Sequence, residues 1–334
     1  MLDMKDTSPI FVRLYKESSE LEIWKQRENG DYALLKTFQI CKWSGALGPK
    51  KKEGDRQAPE GVYIVGPGQM NPASHYYLSF NIGYPNSFDR SLGRTGSNLM
   101  VHGACSSSGC YSMTDEDAGV IFSLARDSFR GGQTSFQIQA LPFRMTAENL
   151  AKHKDDENMP FWRMLKVGSD SFDLTLKPPK VDVCDHSYVF NADAGPSFDP
   201  NAKCPEYTRP QALVDALTTK QVKDDIAFNA AVAALEAKEK QAGAVATGVA
   251  QKAAANATPS PATEAAPPRV VASVPIPRLR PDLAPAPTPV SAPANTDAAA
   301  PDATSTIPEV GKFVKKRFDW PDGGASATGG GTSG

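Results

Sequence analysis

The chain has 334 residues, with 36 Lys+Arg against 38 Asp+Glu and a formal net charge of −2. That near balance removes any generic electrostatic case for nucleic acid or an anionic membrane as partner, and no run of 18 apolar residues is present to span a bilayer. Hydrophobic residues make up 40% of the chain and thin out after about residue 240, where Ala, Pro, Thr and Gly take over and half of the 28 prolines fall, so that segment buries too little apolar surface to offset its ordering entropy.

The sequence divides into three: a domain over 1–205 with its core at about 8–190, a helical extension over 206–250, and a Pro/Ala/Gly-rich disordered tail over 251–334. The domain reads mainly as strands. Ile10, Val12 and Leu14 alternate with Phe11, Arg13 and Tyr15, and Leu21 and Ile23 alternate with Glu20, Glu22 and Trp24, the period of strands with one buried face. Asn29-Gly30 supplies a turn that tolerates positive φ, and Tyr32 to Ile40 returns as the partner strand. Gly61 to Gly66, Tyr76 to Ile82 and Asn98 to Val101 are further short strands, the last running into His102-Gly103. Thr114 caps a helix whose first turn holds Asp115, Glu116 and Asp117. Its Ala118, Ile121, Phe122, Ala125 and Phe129 share a face, and Gly131-Gly132 ends it. Ser135 to Ala140 alternates again. Shorter helices start at Thr146 and Pro160, and Ser171 to Leu176 and Val181 to Phe190 read as closing strands. The fold class is mostly β with short α insertions.

The chemistry concentrates in residues 99–115. A strand delivers His102, a loop of small residues follows, and Cys110 arrives just before a helix start. Cysteine attacks as thiolate, and a helix N-terminus and a nearby imidazole both lower a thiol's pKa. Gly109 lets the backbone approach closely and leaves the Cys110 amide free to stabilise an oxyanion, with His102 as the base. Three other readings stand beside a nucleophile: a small buried Cys110, a disulfide to Cys105, or a metal site of His102, Cys105 and Cys110, which lacks a fourth ligand at usual spacing.

The run His102-Gly103…Ser108-Gly109-Cys110 resembles the active-site signature of the YkuD-type L,D-transpeptidases, cysteine enzymes of bacterial peptidoglycan. Ala58-Pro59-Glu60-Gly61-Val62-Tyr63 is similar to that family's Thr-Pro-x-Gly-x-Phe/Tyr strand. More narrowly, Leu47-Gly48-Pro49-Lys50, Glu53-Gly54-Asp55, Asn71-Pro72, Tyr77-Leu78-Ser79-Phe80, Gly83-Tyr84-Pro85-Asn86, Cys110-Tyr111-Ser112-Met113-Thr114-Asp115 and Pro142-Phe143-Arg144-Met145 resemble the YafK branch. The likeness covers roughly residues 8 to 190 and implies a YkuD-like β-sandwich or barrel. Two departures stand out. Seven residues separate His102 from Cys110, fewer than in most of the family, and Ser112 stands where most members carry an arginine that helps to position the donor. Arg144 or Arg90 is the replacement cation, or else a solvated surface charge.

The resemblance implies a mechanism. Cys110 attacks a carbonyl of meso-diaminopimelate in a peptidoglycan stem peptide and forms a thioester. His102 is base and then acid, Gly103 orients it through its carbonyl, and Ser108 assists. The Gly109 and Cys110 amides form the oxyanion hole, with Tyr84, Asn81 and Arg144 as candidate substrate contacts. An amine acceptor makes a transpeptidase; water makes an amidase, which in the YafK branch releases a wall-linked outer-membrane lipoprotein. No cofactor and no metal is implied. The compartment is periplasmic, although Met1 to Asp6 carries no apolar signal core. The rival reading is a non-catalytic envelope tether that binds wall peptide.

Of the other cysteines, Cys184 and Cys204 flank a polar loop and are a candidate pair in an oxidising compartment, with the free thiols as the alternative; Cys41 reads as a core residue at a strand end, and Cys105 as a loop packing residue. His75 reads as surface, with a place in the substrate cleft as the alternative, His153 as a solvated helix end and His186 as a residue on a strand face. Leu213, Leu217, Ile226 and Ala230 form part of an apolar helical stripe. The Pro/Ala stretch at about 258–309 reaches on the order of 150 Å where polyproline-like. The patch from Lys312 to Trp320 is then a docking peptide for an envelope partner, or an unpartnered end.

Overall fold

The computed structural model describes residues 3–255, with side chains to residue 242. The expected tail beyond 255 lies outside the described residues.

Strands β1 (Ile10–Tyr15), β2 (Glu20–Gln26) and β3 (Tyr32–Gln39) form an antiparallel meander. Of the two residues at the first tight turn of the return, Gly30 takes the positive φ, +88°. Next come β4 (Gly61–Val65), β5 (Met70–Ser74), β6 (Tyr77–Asn81), the short helix α1 (Ser87–Ser91), β7 (Met100–His102) and β8 (Tyr111–Ser112). Helix α2 (Asp115–Arg130) follows, capped by Thr114 Oγ1, which accepts from Asp117 N at 3.1 Å, and β9 (Phe136–Leu141) comes after it. β9 inserts beside β1 in parallel and pairs antiparallel with β4, giving a five-stranded sheet β3-β2-β1-β9-β4. A four-stranded sheet, β5-β6-β7-β8, packs against it. The two sheets share a core of Ile10, Val12, Leu14, Tyr63, Phe80, Val101 and Tyr111, closed by Ala118, Ile121 and Ala125 of α2. β5 carries Pro72 and sits at a sheet edge, where a missing N–H costs nothing, and it was not legible as a strand.

The alternation in β1 predicts one buried face, yet all six of its residues are buried. The second face is covered by α4 (Met159–Thr175), which follows α3 (Ala147–Lys152). Phe11 lies 4.4 Å from the Phe172 ring, and Arg13 Nη1 meets Asp173 Oδ1 at 2.7 Å. The expected strand at Ser171–Leu176 is therefore the end of α4. Trp162, Leu165, Ser169 and Phe172 hold helical spacing and are all buried, and this longer period overrides the short apolar run. Val181–Phe190 is a hairpin of β10 (Val181–Cys184) and β11 (Ser187–Phe190). Asp185 and His186 form its turn at φ +49° and +55°, so His186 is a turn residue and not on a strand face.

After β12 (Asp193–Ala194) and β13 (Tyr207–Thr208), helix α5 (Gln211–Ala255) packs on α3 and α4. Lys166 Nζ bonds Asp170 and Asp224, and Lys220 Nζ reaches Asp224 at 2.8 Å and Asp170 at 3.4 Å. Arg163 lies 5.0 Å over the Phe228 ring. Of the expected apolar stripe, Leu213 and Leu217 are half-buried, while Ile226 is 67% exposed and Ala230 also faces outward. Among the described residues no helix is long and apolar enough to cross a membrane.

Both disulfides tie loops. Cys184 pairs with Cys204. Cys41 pairs with Cys105, which corrects the reading of each as a packing residue. The reason is backbone pairing: Ser112 bridges Lys42 antiparallel, and Cys105 N donates to Met113 O at 3.1 Å. The end of β3 and the loop after β7 are thereby brought side by side.

Candidate active site

Residues 42–60 form a long loop pinned by a buried ion pair. Lys16 Nζ donates to Ala46 O, Gly48 O and Glu60 Oε1, each at 2.9 Å, with both side chains fully buried. Glu60 also accepts from Gly48 N at 2.7 Å and from Trp162 Nε1 at 2.8 Å. Farther along, Asp55 accepts from the amides of Lys51, Lys52 and Gln57, each at 3.0 Å, and pairs with Lys50 Nζ. Partial burial pushes its carboxyl up, but Lys50 and the three amides outweigh that and hold its pKa at about 2.

This loop backs the nucleophile candidate. Tyr111 Oη donates to Pro59 O at 2.6 Å, and Ser44 Oγ lies 3.3 Å from Ser107 Oγ. Ser107 Oγ in turn donates to Cys110 O at 2.7 Å. The hydroxyl tied to the Cys110 backbone is thus that of Ser107; Ser108, expected to assist, is exposed. Gly109 is buried at φ +116°, a conformation that a side chain resists, although a Cβ there would meet nothing closer than 3.7 Å.

Cys110 is the free cysteine among the described residues, and it is half-buried. Its sulfur accepts from Met100 N at 3.4 Å and faces Asn98 O at 3.7 Å, along the start of β7. Two residues on, at the end of the same strand, stands His102, 4% exposed and in register with Ser112 of β8. His102 Nδ1 donates to Gly103 O at 2.6 Å. A carbonyl only accepts, so Nδ1 carries the proton and Nε2 presents the lone pair. Tyr76, 52% exposed, lies with its ring 5.0 Å from the imidazole.

The electrostatics differ from the expectation of a thiol lowered by a helix N-terminus. β8 and the Thr114 cap stand between Cys110 and α2. Burial pushes the Cys110 thiol above its ordinary pKa, and the Met100 amide and the Lys50 charge recover only part of this. Burial also pushes His102 below the ordinary imidazole value, against the pull of the Gly103 carbonyl. Both shifts favour the uncharged forms, thiol for Cys110 and neutral imidazole for His102.

The candidate substrate contacts scatter. Tyr84 is 5% exposed, with its ring in the core and its hydroxyl 3.3 Å from Lys50 O and Thr95 O, so it is a packing residue rather than a cleft residue. Asn81 pairs with Met100 across the sheet, and its Oδ1 accepts from Gly83 N at 2.8 Å. Arg144 lies on the other face of the five-stranded sheet, 4.3 Å over the Tyr15 ring, and is held by Glu22 at 2.7 Å and Glu20 at 2.9 Å, away from Cys110. Arg90 reaches Pro85 O. Ser112 is fully buried with Oγ 2.8 Å from Lys42 O, which leaves no opening for a longer side chain there. Lys50 is the cation that acts on the sulfur, and sequence reasoning missed it. In the sequence it stood only within the Leu47-Gly48-Pro49-Lys50 motif, with no role attached. A cavity of about 280 Å³ between α4 and α5, lined by Leu217 and Phe228 as well as Lys166, Asp170 and Asp224, is separate from this region.

No family model matches the chain. It is 40% identical over 205 residues to YafK of Escherichia coli strain K12, an L,D-transpeptidase-family protein, covering 61% of this chain and 83% of that one; the O157:H7 protein matches equally. Among solved structures, the helical cell shape determining protein Pgp2 of Campylobacter jejuni has a TM-score of 0.33 at 18% identity, covering 54% of this chain and 77% of that one. Bd1075 of Bdellovibrio bacteriovorus has a TM-score of 0.30 at 14% identity, covering 63% and 97%. The match to YafK over most of its length places this chain in the YkuD-type L,D-transpeptidase family, in its YafK branch.

Proposed function

We propose that the protein is a peptidoglycan-modifying cysteine acyltransferase or amidase of the bacterial envelope, with Cys110 as nucleophile. The observation that supports this most directly is the use of cysteine: four of the five are in disulfides, and the sulfur of the remaining one accepts from Met100 N, at the start of the strand that ends in His102. In this reading Cys110 Sγ attacks a carbonyl of meso-diaminopimelate in a stem peptide while His102 Nε2 takes the thiol proton. The Gly109 and Cys110 amides receive the oxyanion. Collapse to the thioester expels the leaving amine, which takes the proton back from His102. An incoming amine then gives a new peptide link. Water instead gives a free carboxylate, and where the leaving amine is the lysine of a wall-linked lipoprotein, the lipoprotein is released. Lys50 lowers the cost of the developing thiolate from a distance. Ser108 is a candidate for assisting at the mouth of the loop, and a periplasmic location follows from the substrate.

The test is incubation with defined muropeptides, with and without a lysine-linked lipoprotein peptide, read by mass spectrometry. A thioester on Cys110 and turnover that vanishes in Cys110→Ala are expected. Wild-type turnover in Cys110→Ala ends the proposal, and binding without any product favours the tether.

A further inference from the structure

The carbonyl that orients His102 belongs to a peptide group whose other end is also engaged. Gly103 O accepts from His102 Nδ1 at 2.6 Å, and the N–H of the same peptide unit, on Ala104, donates to Asp115 Oδ1 at 2.7 Å. We propose that Asp115 is a positioning residue for His102, acting through the Gly103–Ala104 peptide. This rests on the reading of His102 as the general base.

Three observations carry it. First, the capping bond of α2 is made by Thr114 to Asp117 N, so the Asp115 carboxylate is not needed for that bond and turns back to the loop. Second, the fit is close. A Cβ on Gly103 would stand 2.5 Å from Asp115 Oδ1, 3.0 Å from Tyr77 Cβ and 3.2 Å from Tyr76 O, while Gly103 N itself donates to Tyr76 O at 3.0 Å. Third, the chain is forced into an unfavourable conformation to present this peptide: Ala104 and Cys105 have φ of +63° and +45°. Such geometry persists only where neighbours over-determine it, here the Asp115 bond, the Cys105 N–Met113 O bond and the disulfide to Cys41. A carboxylate on the N–H polarises the carbonyl of the same peptide and makes it a stronger acceptor. Nδ1 is thereby held protonated and the imidazolium that forms during attack is stabilised. The carboxylate does for the imidazole through a peptide what a direct acid–imidazole bond does elsewhere.

Tyr76, on the turn before β6, is the titratable ring that lies against the imidazole, and Asp115 shares the first turn of α2 with Glu116 and Asp117. Lys36 on β3 lies 3.8 Å from Asp117. Removing the Asp115 charge leaves the others in place.

The experiment compares Asp115→Ala, Asp115→Asn and His102→Ala in the full chain, with near-UV circular dichroism as the folding check. The readouts are kcat and KM on muropeptide, the pH profile of kcat/KM, and the tautomer of His102 by nitrogen-15 imidazole NMR. Asp115→Ala is expected to lower kcat by about tenfold or more with KM little changed, and to mix the His102 tautomers. Asp115→Asn keeps an acceptor, so it restores most of kcat and the tautomer. Having lost the charge, it moves the acid limb down by about half a pH unit. An Asp115→Ala protein whose tautomer and acid limb match the wild type overturns the proposal, even if its rate falls. Full activity in His102→Ala overturns instead the reading of His102 as base, which separates the two failures.

Discussion

Replacing Lys16 by Met tests whether the loop behind Cys110 is held by a single buried charge. Met has similar bulk and no charge, so the substitution removes three hydrogen bonds at once: to Ala46 O, Gly48 O and Glu60 Oε1, each 2.9 Å. Glu60 keeps the Gly48 amide and the Trp162 indole but loses its counter-charge at full burial. Breaking one side of a buried pair costs about 3–5 kcal/mol, mostly because the other charge is stranded. For a folded unit of this size that is a fall in Tm of about 6–20 °C. Urea unfolding of wild type, Lys16→Met, Glu60→Gln and the double variant measures it, with the slope checked for constancy. The double variant should be more stable than the sum of the singles by at least about 1 kcal/mol, since the stranded charge is gone. A single-variant loss below about 1 kcal/mol, or strict additivity, refutes the reasoning. Because Ala46 and Gly48 begin the loop that carries Lys50 and backs Gly109, Lys16→Met should also change the rate at which Cys110 is alkylated.

Three further outcomes are expected. The iodoacetamide reactivity of Cys110 should rise only above the ordinary thiol range, because burial raises its pKa; an inflection at or below pH 7 would show a preformed thiolate instead. Replacing Cys41 and Cys105 together by Ser opens a cross-link spanning 64 residues and should cost about 2–4 kcal/mol in denaturant unfolding; unchanged stability would mean that the backbone pairing of Ser112 with Lys42 holds the loop alone. Gly109→Ala should lose about 1 kcal/mol or more and most of the turnover, because its φ of +116° disfavours a side chain although space is present; wild-type turnover would free the oxyanion assignment from this amide.

What the sequence revealed, and what it hid, follows from the range of each interaction. The strands β1 and β2 and the capped, amphipathic α2 rest on local patterns and appear where expected, although α4 buries the second face of β1 as well. His102 and Cys110 were legible as candidates because both lie on one short segment. Lys50 was not, because its effect on the sulfur depends on a loop folded back over Gly109 from some fifty residues upstream, through contacts such as Tyr111 to Pro59. The Cys41–Cys105 pairing was hidden for the same reason. Asp115 was read as helix-terminal charge, a local role that its position permits, whereas its bond runs to Ala104, 11 residues earlier. Arg144 shows the converse error. A cation was wanted near the nucleophile, but side-chain alternation puts Tyr15, and with it Arg144, on the α4 side of the sheet.

The charge cluster that joins α4 to α5 has a practical corollary for trimming this protein. Cutting the polypeptide before residue 211 would strip Asp224 and Lys220 from Lys166 and Asp170, and would uncover the side of α4 on which Phe228 rests. A fragment intended for crystallisation or soaking should therefore end beyond Phe228, even though every residue assigned to the chemistry lies before residue 116.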